Sequence, residues 1–324
     1  MFAGLVFLVL LAASDTTAPD RLYAAGEFAE AARLYRYLLD QAPRDFNLVL
    51  RLGATHYQLG QFPEAAKFFR DAVALRPNVA QAQIGLGTTL LALEQASDAL
   101  PFLEKAVKLA PSDAMARRAL GHAYQKTNKL FEGERLLRSL VASDPNDAES
   151  WYYLGALLFD SNYYLPALDA LNTALRLQPA NDQAGIYKAG ALAQLGNTRE
   201  AGDLYRALAD RPAAAAKPEL WLGYAQFLFE GNQLEASLQA IDRAIALLPD
   251  SPKLYFWRAR IGMTSGDLAA AESDARKAVA LAPQLPNARN LLMKIYRAKG
   301  LASAANEQAA WLAQHESGSR PAAR

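Results

Sequence analysis

Cysteine is absent from this 324-residue chain, which removes disulfides, thiolate metal sites and cysteine nucleophiles and leaves either redox compartment open. Histidine is nearly as scarce. His56, His122 and His315 stand far apart, without the paired spacing of a zinc site or the carboxylate neighbour of a catalytic dyad, so neither metal, cofactor nor catalytic group is expected. Neither sign of charge dominates: 34 Lys and Arg face 33 Asp and Glu, a net of +1 that argues against nucleic acid as a partner. An apolar run of membrane-spanning length is also missing at the start, where Phe2 to Ala13 would make a helix of only about 18 Å against about 30 Å of hydrocarbon.

That run, followed by Ser14 and Asp15, matches the core and small-residue exit of a secretory signal peptide, although no Lys or Arg precedes it. Residues 1–14 are therefore expected to export the protein to a periplasmic or other extracytoplasmic space, with cleavage near Ala13 or Ser14. The alternatives are an uncleaved anchor, which would be the one membrane contact, and a misplaced start or buried helix.

What the chain does have is a beat. Pro43, Pro77, Pro111, Pro145 and Pro179 follow one another at 34 residues, and Pro249 and Pro283 resume the interval after a slip of two residues near Pro212 and Pro218. A 34-residue period is the length of a helix-turn-helix repeat that buries its apolar face only by stacking on its neighbours. With each unit numbered so that this proline is position 32, the unit from Phe46 to Val79 puts Leu52 and Gly53 at positions 7 and 8. The same unit puts Tyr57 at 12, Gly60 at 15, Ala65 at 20, Phe69 at 24 and Ala72 at 27. Position 8 holds Gly87, Gly121, Gly155, Ala189, Ala225 and Ala259 in the later units, and position 20 holds Ala99, Gly133, Ala167, Ala201, Ser237 and Ala271. Only small residues stand where the first helix (A) of a pair crosses the second (B), because a larger side chain would push the backbones apart. Apolar residues at positions 4, 7, 11, 24 and 27, with Trp151 and Trp221 at position 4, are read as core. Gly60, Gly196, Gly266 and Gly300 suit left-handed caps between A and B. Gly85 and Gly87 fall on helix A as packing positions, without the Lys of a phosphate loop.

This pattern resembles the tetratricopeptide repeat (TPR) family over residues 15–314, with seven full units in 46–285, partial units at both ends and a disordered tail over 315–324. The resemblance implies an all-α, right-handed α-solenoid superhelix of tandem 34-residue repeats, about eighteen paired helices with no sheet. The first unit keeps Gly26, Phe28, Ala31, Tyr35 and Pro43 but lacks most of its helix A, which suggests a frayed or partner-covered end. The extra residues over 210–217 are read as a longer helix B with an altered corner, a hinge being the alternative. Pro101 is placed in the first turn of its helix with Ser97 or Asp98 as N-cap, where its missing N–H costs nothing.

The resemblance further implies a concave face lined by helix A positions 2, 5, 6, 9, 12 and 13. Those positions give a candidate peptide groove of Arg51, Arg118, His122, Lys126, Tyr152, Tyr153, Phe159, Tyr187, Phe229, Phe256, Trp257 and Arg260, aromatic in the middle and basic at both flanks. Aromatic rings beside arginine are the make-up of interface hot spots, the alternative being that several of these rings pack against the next unit. The Lys and Asn clamp with which some family members hold acidic chaperone tails is not met: positions 5 and 9 offer Leu50 with Ala54, Ile84 with Thr88, Arg118 with His122, and Tyr152 with Ala156. The expected function is a non-enzymatic scaffold that docks a protein or peptide, in envelope assembly or trafficking. Its alternatives are a self-associating array joined through its ends and, least favoured, the recognition subunit of an enzyme complex.

Overall fold

A computed structural model of the chain describes residues 17–316, and among these there are 19 helices and no strand. The apolar run at 1–14 lies outside the described residues. The helices fall into two compact units, divided between Pro179 and Ala180. The first unit holds α1 (Thr17–Ala24), α2 (Phe28–Gln41), α3 (Phe46–Gln58), α4 (Phe62–Leu75), α5 (Ala80–Ala92), α6 (Ala96–Leu109), α7 (Ala114–Lys126), α8 (Leu130–Ser143), α9 (Ala148–Asp160) and α10 (Tyr164–Leu177). The second holds α11 (Asp182–Gln194), α12 (Thr198–Ala209), α13 (Pro212–Ala215), α14 (Pro218–Glu230), α15 (Leu234–Leu247), α16 (Pro252–Ser265), α17 (Leu268–Leu281), α18 (Pro286–Ala298) and α19 (Ala302–Glu316).

Each A–B pair closes on the crossing that the small residues require. A Cβ built on Gly87, Gly121 or Gly155 would come within 2.5, 2.8 or 2.6 Å of the leucine at position 24 of its own unit, Leu103, Leu137 or Leu171. Those leucines are fully buried, so the glycines give up a side chain to seat them. At Ala225 the crossing gains a polar tie, since the buried Ser237 hydroxyl donates to the Ala225 carbonyl at 2.7 Å. Position 7 breaks the apolar rule at Lys188 and at Arg258: Arg258 stands where Leu52, Leu86, Leu120 and Leu154 stand elsewhere, and pairs with Asp242 and Asp274, each at 2.7 Å. Hydrogen bonding to Asp274 holds its guanidinium even more firmly protonated than usual.

The turn from A to B has a left-handed residue at every repeat. Gly26, Gly60, Glu94, Asn128, Asn162, Gly196, Asn232, Gly266 and Gly300 all take positive φ, between 55° and 88°. At Gly60 the following N–H, on Gln61, reaches back to the His56 carbonyl at 2.9 Å, and Gln95 does the same to Leu90 after Glu94 at 2.8 Å. Glycine and asparagine accept this left-handed backbone; Glu94 adopts it against its preference.

The corner between repeats carries a second device. A side-chain N–H at position 4 donates to the carbonyl six residues earlier: Gln83 to Pro77 (2.8 Å), Trp151 to Pro145 (2.9 Å), Trp221 to Ala215 (2.8 Å) and Arg289 to Pro283 (3.0 Å). Trp221 is buried as expected of core, whereas Trp151 keeps part of its ring at the surface. Aspartate or asparagine starts many A helices, with Asp45, Asp113, Asp147 and Asn181 accepting from backbone N–H groups of the first turn.

Four expectations need correction. Over 210–217 helix B is not lengthened: α12 ends at Ala209, Arg211 is extended at φ −93°, ψ 116°, and Pro212 opens the separate turn α13. Proline disfavours helical geometry in the residue before it and suits the first position of a helix, which explains both facts. Pro101 is not in a first turn, because α6 is capped by Gln95 and begins at Ala96. Its ring therefore removes one interior bond, to the exposed Ser97. The start of the array is pinned, since Asp20 of α1 accepts from both Tyr35 of α2 and Arg51 of α3. At the other end α19 continues through Glu316, two residues into the expected tail, and residues 317–324 lie outside the described part.

Candidate functional site

In each unit the A helices touch the next A helix but one element on: α3 meets α5, α5 meets α7 and α7 meets α9, while α11 meets α14, α14 meets α16 and α16 meets α18. The B helices α4, α6, α8 and α10 make no comparable contacts with each other. The A row is thus the tighter-spaced, inner side of each unit. Every candidate residue lies on an A helix.

In the first unit most of these side chains are spent on one another. Arg51, 12% exposed at its side chain, is taken by Asp20 and Tyr35. Arg118 pairs with Asp147 at 2.5 Å and with Glu149 at 3.0 Å, so its charge is neutralised within the fold. Burial pushes the Asp147 carboxyl up, but the Ser150 hydrogen bond and Arg118 outweigh it and leave the group below its ordinary range. Lys126 is exposed and reaches Glu94 at 3.9 Å. His122 packs on Tyr153 with ring centroids 5.4 Å apart, and Tyr153 on Tyr152 at 4.9 Å. Burial, helped by Lys126, pulls the His122 imidazole down to about 4, and burial pushes the Tyr153 phenol up to about 12. Phe159 meets Tyr164 edge-on at 5.5 Å. The structure therefore brings Arg118, His122, Tyr152 and Tyr153 together as a packed cluster, with Arg51 held apart at the other end of the unit.

The second unit is different. Trp257 of α16 receives Phe229 of α14 and Phe256 edge-on, each with centroids 6.1 Å away. The Arg260 guanidinium lies over Trp257 at 4.4 Å and Phe229 at 5.2 Å. All four side chains are only partly buried, and among the described residues Arg260 forms no ion pair with a carboxylate. Tyr187 is also partly buried, on α11, the A helix next to α14, which carries Phe229. Expected basic flanks at both ends are thus reduced to one, because the N-terminal arginines are already paired. The residues missed from sequence are the acidic partners Asp20, Asp147 and Glu149. Glu149 stands at position 2, one of the inner positions, and Asp147 is a visible N-cap.

No group of His, Asp and Glu among the described residues has the arrangement of a metal site. No helix among them is long and apolar enough to cross a membrane.

Comparison with known proteins agrees with this architecture. One tetratricopeptide repeat model matches residues 22–88 and 90–158 and a second matches 189–252 and 225–286, together well over half of the chain. Cellulose synthase operon protein C of Pseudomonas fluorescens (strain SBW25) is 34% identical over 128 residues, 38% of this chain and 10% of that protein. The chain thus spans only a small part of that relative. Among solved structures, a tetratricopeptide repeat protein from Parabacteroides merdae ATCC 43184 matches with a TM-score of 0.61 and 17% identity, over 77% of this chain and 98% of that one. A chain of the APC/C hetero-tetramer Cut9–Hcn1 matches with a TM-score of 0.65 and 13% identity, over 86% of this chain and 54% of that one. At these identities the likeness is one of fold.

Proposed function

The chain belongs to the tetratricopeptide repeat family, whose members generally bind protein or peptide partners, and from that premise we propose that it is a non-catalytic scaffold that docks a protein segment on the inner row of its second unit. The observation that carries this is the cluster of Phe229, Phe256, Trp257 and Arg260. Partly exposed rings with an unpaired guanidinium stacked on them have the composition and rigidity of a hot spot. Its counterpart in the first unit is satisfied internally, so that unit acts as a support. The proposal extends to export by residues 1–14 and a role in envelope assembly or trafficking. The run from Phe2 to Ala13 supports the first, and the similarity to a protein of a cellulose synthase operon makes the products of such operons the first partners to test.

The test is partner capture from native envelope with the intact protein and with Trp257→Ala and Tyr153→Ala, each checked for thermal stability. Trp257→Ala should weaken capture by about 1–2 kcal/mol with helicity intact. Tyr153→Ala should lower stability and leave capture unchanged. Undiminished capture by a well-folded Trp257→Ala protein moves the docking surface elsewhere.

A further inference from the structure

The helices α16 and α18 contain six basic residues and no carboxylate: Lys253, Arg258 and Arg260 on the first, Arg289, Lys294 and Arg297 on the second. Two of these are occupied. Arg258 is held by Asp242 and Asp274, and Arg289 by the Pro283 carbonyl, Gln308 and the face of Trp311 at 4.1 Å. The other four, Lys253, Arg260, Lys294 and Arg297, form no ion pair among the described residues. They stand at positions 2, 9, 9 and 12, on the inner row, and Lys294 and Arg297 are exposed. The two carboxylates that α14 brings to this row, Glu219 and Glu230, pair with none of them. In a protein whose net charge is +1, four unpaired cations on two adjacent helices mark a local preference that the whole-chain balance hides.

Resting on the reading of this row as a docking surface, we propose that its occupant is an acidic segment of another protein, carrying an aromatic or large aliphatic anchor among its carboxylates. The anchor would lie against Phe229, Phe256 and Trp257, and the carboxylates against Arg260, Lys294 and Arg297. Arginine offers a forked, planar donor set to a carboxylate, and stacking on Trp257 fixes the plane of Arg260 before the partner arrives. Residues 317–324 are a poor match, since they include Arg320 and Arg324 and no Asp or Glu.

The experiment pans the full-length protein against a random short-peptide display library and then measures the enriched sequences, as synthetic labelled peptides, by fluorescence anisotropy. Enriched peptides should carry an excess of Asp and Glu and at least one aromatic or large aliphatic residue. Lys294→Glu with Arg297→Glu, both at exposed positions, should weaken their binding by about tenfold, mostly through a slower association that added salt mimics. Trp257→Ala should weaken it as well. Peptides without acidic excess that lose binding only in Trp257→Ala would overturn the acidic preference and leave the docking surface standing. Peptides held equally by all variants, acidic or not, would overturn both. So would an anionic polysaccharide such as alginate binding at this row when no peptide is enriched.

Discussion

Replacing Gly155 by alanine sets two opposed effects against each other, and the crossing geometry decides the sign. In an exposed helix interior the change from glycine to alanine stabilises by about 1 kcal/mol, because glycine loses more backbone freedom on folding. Here the new Cβ meets Leu171 Cγ at 2.6 Å and Cδ2 at 2.9 Å, with the Ala167 carbonyl oxygen at 3.3 Å. Leu171 is fully buried and has nowhere to swing, so overpacking of about 1–3 kcal/mol applies and Gly155→Ala should be destabilising by about 1 kcal/mol net. Gly155→Leu should cost several times as much. Gly262, inside α16, is the control: its added Cβ meets Ala271 only at 3.5 Å, an ordinary contact, so Gly262→Ala should stabilise.

Leu171→Ala alone leaves a cavity and should cost about 2–5 kcal/mol, but the Gly155→Ala, Leu171→Ala double variant should fall short of the sum by at least about 1 kcal/mol, because the second change removes the clash. The assay is urea unfolding followed by circular dichroism and by tryptophan fluorescence; coincident transitions are required because repeat arrays need not unfold as one unit. If Gly155→Ala stabilises as much as Gly262→Ala does, the crossing is not close-packed and the reasoning from small residues at position 8 fails.

Other outcomes follow from particular contacts. Glu94→Gly should raise stability in urea unfolding by about 0.5–1 kcal/mol, since Glu94 holds a left-handed φ of 58° and its only ion pair among the described residues, with Lys126, is long and exposed. Trp221→Phe should lower stability by about 1 kcal/mol for the lost hydrogen bond to the partly buried Ala215 carbonyl, and Trp151→Phe by less, because Pro145 is exposed and its carbonyl can turn to water. His122 stays neutral in the folded protein down to about pH 4, whereas an unfolded histidine gains its proton near 6.5, so stability falls as pH drops through this interval. Measured against His122→Gln, that loss should amount to about 1–2 kcal/mol at pH 5.5; equal pH profiles for the two proteins would refute the burial of the ring.

The repeat register was legible because it is enforced by volume. Position 8 and position 20 accept only small residues wherever the fold needs two backbones close together, and such a constraint recurs at fixed intervals whatever the partner. Devices that reach across the repeat boundary were not legible in the same way. The bond from position 4 to the carbonyl six residues earlier is made by Gln83, Trp151, Trp221 and Arg289, four side chains whose common property is an N–H and not a shape. The start of α6 was misplaced because Ser97 and Asp98 are good caps in isolation, whereas Glu94 in the left-handed turn already fixes where that helix begins. Over 210–217 the helical propensity of four alanines carried more weight than the prolines on either side of them, Pro212 and Pro218, and the structure reverses that order.

The candidate groove was read as basic at both ends because charge was counted along one row of helices, while neutralisation comes from how the next helix is started. Arg118 at position 5 meets Asp147, the N-cap of the following A helix, and Glu149 in its first turn. In the first unit that capping residue is Asp at positions 45, 113 and 147, so the inner row receives a carboxylate at the head of α3, α7 and α9. In the second unit α14, α16 and α18 follow Lys217, Ser251 and Leu285 and open on Pro218, Pro252 and Pro286 instead. Proline at the first position removes only its own N–H, and at α14 and α16 the N–H of the third residue goes to the backbone carbonyl of Lys217 or Ser251 at 3.2 Å, so no carboxylate is engaged as a cap. These helix starts thus bring no capping carboxylate to the row that carries Arg260, Lys294 and Arg297, and those cations form no ion pair among the described residues.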